Sequence, residues 1–156
     1  ITATSTNNYV TLSADALPYA QVHIQGNSTA TTIGTAGTPV KAAGTFTVGI
    51  QSGFTGDTTG KIVYNGTQTR VVAVQVTATI KPASANNQDL FIQIAKNGTV
   101  EAGSKIVREV DTAQTANCST FFNVSLAQND YVELYVGNAT STDNVVVTDA
   151  ILGLVN

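Results

Sequence analysis

The chain has little charge. Of its 156 residues, seven are Lys or Arg, ten are Asp or Glu, and one is His. The charged share of 11% is under half of the ~25% usual for globular proteins. The basic residues stand singly along the sequence, so no basic face exists to displace counterions from phosphates. That excludes nucleic acid and an anionic membrane surface as partners. Only three residues are Glu, which excludes long solvent-exposed helices, a helical bundle or a coiled coil. One cysteine, Cys118, excludes an internal disulfide and with it a disulfide-stapled secreted module. The longest uninterrupted apolar runs, 71–74 and 145–147, fall far short of the ~20 residues of a membrane-crossing helix. No signal peptide is visible. The opening Ile1 points to a start inside a longer product, or to a disordered extreme terminus.

What is present favours strands and turns. The chain carries 25 Thr and 19 Val beside 13 Gly, 13 Asn and 9 Ser. Val and Thr are β-branched and suit a pleated surface, whereas Gly and Asn supply turns. At this length about two-thirds of the unfolded surface can be buried in one domain. Residues 1–16 lack sustained alternation and read as an N-terminal arm or linker; residues 17–156 read as one domain. Strands are predicted at 19–25, 40–43, 45–50, 61–64, 69–81, 90–96, 105–110, 119–126, 131–136 and 144–154, at the spacing of a sandwich. Asn65-Gly66 and Asn97-Gly98 are hairpin dipeptides. Asn129-Asp130 and Gly137-Asn138 also tolerate left-handed backbone.

Alternation assigns the faces. Val72, Val74, Val76, Ala78 and Ile80 form one core stripe. Leu90, Ile92 and Ile94, then Phe122, Val124 and Leu126, then Val132, Leu134 and Val136 form others. In the last strand the stripe is Val146, Ala150, Leu152 and Leu154. The outward positions should be polar in a monomeric sandwich, yet they include Phe91, Phe121, Tyr131, Tyr135, Val145, Val147, Ile151 and Val155. So much apolar outer surface is expected to be buried against another chain. A folded-back arm is the other way to cover it.

Chemistry is thinly supplied. His23 alternates between Val22 and Ile24 and reads as a surface or interface residue; one histidine cannot build a multi-His metal site. Cys118 lacks an evident base and reads as a packing residue. Glu101 and Glu109 could be imagined as a glycosidase pair, but Lys105 and Arg108 offer ordinary ion pairing. Asp57 and Asp143-Asn144 could offer oxygens to calcium, without the dense carboxylates of a dedicated site. The Gly34, Gly37, Gly44 and Gly49 fragments join no strand to a helix, so the dinucleotide reading fails. Six Asn-X-Ser/Thr sequons, at Asn27, Asn65, Asn97, Asn117, Asn123 and Asn138, matter only on a eukaryotic secretory route. No catalytic, cofactor or metal residues are expected.

The order of GKIVYNGTQTRVVAVQVTATI, LFIQIAKNGTV and SLAQNDYVELYVGNATSTDNVVVTDAILGLV resembles the trimeric jelly-roll module of the tumour-necrosis-factor and complement-type superfamily. The shared features are a G-x-Y segment, a long buried strand, a K-N-G turn, an L-x-x-N-D-x-V turn and an apolar last strand. The segments NSTATTI (27–33) and TPVK (38–41) resemble the version in tailed-bacteriophage structural proteins. The chain lacks the Trp, paired cysteines and collagen-like stalk of animal members. The resemblance implies an all-β, two-sheet antiparallel jelly roll. It also implies a homotrimer with Phe121, Tyr131, Tyr135, Val145, Val147, Ile151 and Val155 near the axis. Its functional implication is a virion protein without enzymatic activity. The first form is a decoration or cement protein on the outer capsid surface, bound to the major capsid protein. The arm, through Thr2, Thr4, Asn7, Tyr9 and Leu12, would then reach across the shell. The other form is a receptor- or glycan-binding tip of a fibre or baseplate.

Overall fold

The computed structural model describes residues 17–155 in full, with the backbone of two short strands ahead of them. Those two are β1 (Thr4–Thr6) and β2 (Tyr9–Thr11), paired antiparallel with Thr4 opposite Thr11. The expected arm therefore contains a hairpin that alternation did not reveal. Asn7-Asn8, which tolerates left-handed backbone, stands between the two strands in sequence. Thr2, Asn7 and Leu12 lie outside the described residues.

The remaining strands, in chain order, are β3 (Tyr19–Ile24), β4 (Ala30–Thr31), β5 (Val40–Lys41), β6 (Thr47–Ser52), β7 (Phe54–Gly56) and β8 (Ile62–Tyr64). Then come β9 (Arg70–Pro82), β10 (Gln88–Lys96), β11 (Thr99–Val100), β12 (Ile106–Val110), β13 (Ala116–Leu126), β14 (Tyr131–Asn138) and β15 (Val145–Val155). The one helical element among the described residues is a 3₁₀ turn at Ala102–Ser104. All strand pairs are antiparallel, and β3 to β15 form two packed sheets apart from the β1–β2 pair. One sheet has the order β11-β10-β14-β8-β7, with β12 also on β10 and β5 on β14. The other runs β13-β9-β15-β3-β6, with β4 on β15. This is a jelly-roll sandwich, as expected.

The core between the sheets is built by the stripes that alternation assigned, except that Val146, expected inside, lies on the outer side of β15. Val72, Val74, Val76, Ala78 and Ile80 of β9 are buried, as are Leu90, Ile92 and Ile94 of β10. Val132, Leu134 and Val136 of β14 meet them from the second strand of that sheet. The thirteen-residue β9 alternates throughout because every second residue is β-branched or Ala and its partners β13 and β15 flank it on both edges. It ends at Pro82, whose missing N–H cannot extend the ladder.

Four expectations change on the structure. First, Val145 and Val147 face the core, not outward, and both are fully buried. The cause is a β-bulge: Val147 pairs with Ile80 and Asp149 with Thr79, which leaves Thr148 as the extra residue. Because side chains alternate with a period of two, one extra residue reverses the phase of a strand. Odd residues point inward before Thr148, and Ala150, Leu152 and Leu154 point inward after it. The β3–β4 connection grips the bulge. Asn27 donates its backbone N–H to the Thr148 carbonyl at 2.8 Å and its side-chain amide to the Val147 carbonyl at 2.9 Å.

Second, Phe91 is buried on the outer side of its sheet. It stands opposite Gly137, where an added Cβ would lie 2.1 Å from the ring. The Lys105 Nζ covers the ring at 4.0 Å from its centroid. Third, Gly137-Asn138 is therefore strand, not turn. Fourth, Asn65-Gly66 makes no hairpin: it carries the chain from β8 in one sheet to β9 in the other. Gly66 is needed there for close approach, since a Cβ would meet the Tyr64 hydroxyl at 2.1 Å. Asn97-Gly98 does turn a hairpin, with φ of 50° and 77° and Lys96 opposite Thr99.

Candidate assembly surface

The residues expected at one interface occupy three places. Val145 and Val147 are in the core. Tyr131 and Tyr135 lie half-buried on the outer face of the β10–β14 sheet. Phe121, Ile151 and Val155 share the outer face of the β9–β15 sheet and line a single depression of about 530 Å³. Thr4 and Tyr9, expected to contact a shell, have their backbone in β1 and β2.

Pairing across the β9–β15 sheet orders its outer face into rows. One runs Ser119, Thr77, Ile151, His23, Thr47; the next runs Phe121, Gln75, Gly153, Gln21; the third runs Asn123, Ala73, Val155, Tyr19, Ser52. Side chains in one row are neighbours on one face. The apolar side chains of this face are unusually bare: within the rows Phe121 is 60% exposed, Val155 59%, Ile151 49% and Tyr19 39%, and beside them Ile50 is 74% and Val71 61% exposed. No charged side chain stands in these three rows. The first charge comes one row further, at Asp149, beside Thr79 and Asn117.

Gly153 makes the depression. Its outward direction is open, with the Ala20 carbonyl at 3.9 Å as the nearest group to an added Cβ. The row thus dips between Gln75 and Gln21. A second hollow of about 350 Å³ adjoins it at His23, Thr77, Thr79, Asp149 and Ile151. Tyr19, Ile50 and Val71 were missed at the sequence level. Tyr19 opens β3, where alternation has one neighbour to work from, and Val71 is followed by the apolar Val72, Ala73 and Val74, which hide its face. Ile50 lies beside a register shift between β3 and β6.

The outer face of the β10–β14 sheet is built differently. Lys41 Nζ lies 2.6 Å from the nearly buried Glu133 carboxylate and donates to Thr59 Oγ1 at 3.0 Å. Lys61 Nζ sits 5.1 Å from the Tyr131 ring centroid. Burial, then the nearby Glu133 and Tyr131, pushes the Tyr135 hydroxyl above its ordinary value. At the end of the sheet, Lys96 Nζ lies 2.9 Å from Asp130. The Asn97 amide donates to the same carboxylate at 2.7 Å. That hydrogen bond, followed by the one from Lys96, holds the Asp130 carboxyl at about 2.

The remaining candidates are structural. Asp57 accepts from Thr59 N–H at 2.8 Å, the Thr59 hydroxyl at 2.6 Å and Lys61 N–H at 3.2 Å. Asp143 accepts from Ser84 N–H, the Ser84 hydroxyl and Ala85 N–H. Asp57 is committed to its own loop, and Asp143 ties the β14–β15 loop to the β9–β10 loop. Burial pushes the Cys118 thiol up, against a smaller lowering by Arg108, and a protonated buried thiol is a poor nucleophile. Among the described residues no three His, Cys, Asp or Glu side chains gather as a metal site.

No protein-family model matches the chain, and no curated protein matches it. Solved structures do. Murine APRIL at pH 5.0 superposes with a TM-score of 0.57 at 9% identity, over 90% of this chain and 98% of that one. The vertex protein P5 of the phage PRD1 superposes with a TM-score of 0.54 at 11% identity, over 99% of this chain and 79% of that one. At such identities the likeness is one of fold. The chain shares its jelly-roll fold with murine APRIL and with a phage vertex protein.

Proposed function

We propose that the chain is a structural protein of a bacteriophage virion that assembles with copies of itself through the outer face of the β9–β15 sheet. The observation that carries the self-association is that face: six large apolar side chains bare, and three successive rows without a charge. A soluble subunit rarely leaves such a surface open. The resemblance to a trimeric module makes a closed three-fold ring the arrangement, each copy covering part of its neighbour's face. The contact should exceed ~1,000 Å².

The phage setting is supported by the fold shared with P5, whose superposition runs over 99% of this chain. Within it, the first reading is a decoration or cement protein on the outer capsid surface, held on the major capsid protein and contributing binding area, not catalysis. Adding the purified protein to capsids that lack it, then imaging them, tests this. Density at local three-fold positions supports it; binding to host cells or glycans with no capsid-surface density refutes it. The second reading, a receptor- or glycan-binding tip, is favoured by P5 being a vertex protein. A vertex is a single projecting position, whereas a cement protein repeats across the lattice.

A further inference from the structure

His23 stands at the edge of the bare face, in the row next to Asp149, between Ile151 and Thr47. Its Nδ1 is buried and has no hydrogen-bond partner. It is the chain's single imidazole, and imidazole is the side chain whose ordinary value, about 6.5, lies closest to neutrality. We infer that His23 makes the self-association acid-sensitive: a neutral imidazole fits the closed interface, and its protonation opens it. This rests on the self-association proposed above.

The groups facing His23 decide the sign. From β15 come Ile151 and Asp149; from β9 come Thr77 and Thr79; from β6 comes Thr47; on its own strand is Gln21, with Gln25 just beyond. Asp149 is the one charged group lining this hollow, and Lys81 follows Thr79 at the next outward position of β9. The Asp149 Oδ1 already accepts the Gly26 N–H at 3.1 Å, in an exposed setting. A single carboxylate, engaged and solvated, offsets little of the cost of enclosing a cation. In the free subunit the half-buried ring keeps part of its surface open to water. Once a second copy closes the hollow, an imidazolium there must be desolvated among Thr, Gln and Ile side chains, which disfavours the charged form. The assembled state then binds fewer protons than the free subunit. Association is stronger at neutral than at acid pH, by up to tenfold per pH unit for each imidazole that must lose its proton.

Sedimentation velocity between pH 8.0 and 5.0, at fixed ionic strength, tests this on the native chain and on His23→Gln and His23→Asn, with circular dichroism confirming folded subunits. The expected result is a native oligomer at pH 8.0 that dissociates at least tenfold more readily at pH 5.5. Both variants should be oligomeric and insensitive to pH over that range; if one fails to fold, the other carries the comparison. A native oligomer equally tight at both pH values overturns the inference and leaves the assembly reading standing. So does unchanged acid sensitivity in the folded variants. A native chain that is monomeric at pH 8.0 overturns both.

Discussion

The two outer faces of the sandwich solve the same problem in opposite ways. Each sheet presents large apolar or aromatic side chains away from the core. On the β10–β14 sheet the chain covers most of them itself, Val107 being the exception. Lys105 lies over Phe91 and Lys61 over Tyr131, and Lys41 pairs with Glu133. Here the ammonium groups themselves lie over the ring faces, a cation–π arrangement that covers the apolar ring with a charge. On the β9–β15 sheet the corresponding positions are Thr, Ser, Asn and Gln, too short or too weakly solvated to shield Phe121, Ile151 or Val155. In a chain with only five Lys and two Arg, four of the lysines are used at one sheet. The difference teaches that an apolar outward residue marks an interface only where its neighbours leave it uncovered.

Breaking the bare face should give the largest effect. Ile151→Asp puts a carboxylate at the centre of a row without charge. Association should weaken by about a hundredfold or more, the consequence of enclosing an unpaired charge, while the melting temperature of the subunit hardly moves. Analytical ultracentrifugation reads the first and calorimetry the second.

Gly153→Ile asks whether the depression matters by shape alone. The added side chain points into open space and a β-branched residue suits a strand, so the subunit should be as stable as before or slightly more so. Filling the hollow should still weaken association by about tenfold or more, since overpacking a docked surface is costly. Equal association by native and variant protein would remove the depression from the interface.

A pair of substitutions sharpens the boundary between core and face. Val147→Thr buries a hydroxyl in the core and should cost about 1–3 kcal/mol of subunit stability in chemical denaturation. Ile151→Thr, four residues on and beyond the bulge, should stay within about 0.5 kcal/mol. Reversed costs would put the bulge in the wrong place.

The smallest effect belongs to the self-covered side. The Asp130 carboxyl, held at about 2 against an ordinary 3.8, contributes stability that is complete above pH ~5. That contribution is lost as pH falls through 4 toward 2. Because the carboxylate is partly open to solvent, the contribution is about 1 kcal/mol. Asp130→Asn should remove that acid-dependent part and nothing of the assembly, as denaturant midpoints at pH 3 and pH 7 would show.

The fold was legible because the long strands are periodic. β9 and β13 alternate over eleven or more residues, and in β10 and β14 every second residue of the stripe is a buried aliphatic, so the core stripes follow from counting. The short strands β4, β7 and β11 carry two or three residues each, too few for a period to show. The bare outer face was legible only in part. Alternation marked Phe121, Ile151 and Val155 as outward residues, and they are exposed on one sheet face. Val145 and Val147 were misplaced because the Thr148 bulge leaves no mark in a run of valines. Tyr131 and Tyr135 were grouped with them because a strand pattern says which residues face out, but not which of two sheets they face out from. Lysine cover is equally silent in sequence, since Lys105 reaches Phe91 across the pairing of β12 with β10.

The most direct test of the account is the molar mass of three proteins by sedimentation equilibrium at micromolar concentration and pH 8: the native chain, Phe121→Lys and Tyr135→Asp. Both substitutions place a charge on an outward aromatic, one on each sheet. The account predicts about three times the 16.1 kDa chain mass for the native protein and for Tyr135→Asp, and a single chain mass for Phe121→Lys. A native monomer, or a trimer that survives Phe121→Lys and falls apart with Tyr135→Asp, would contradict it.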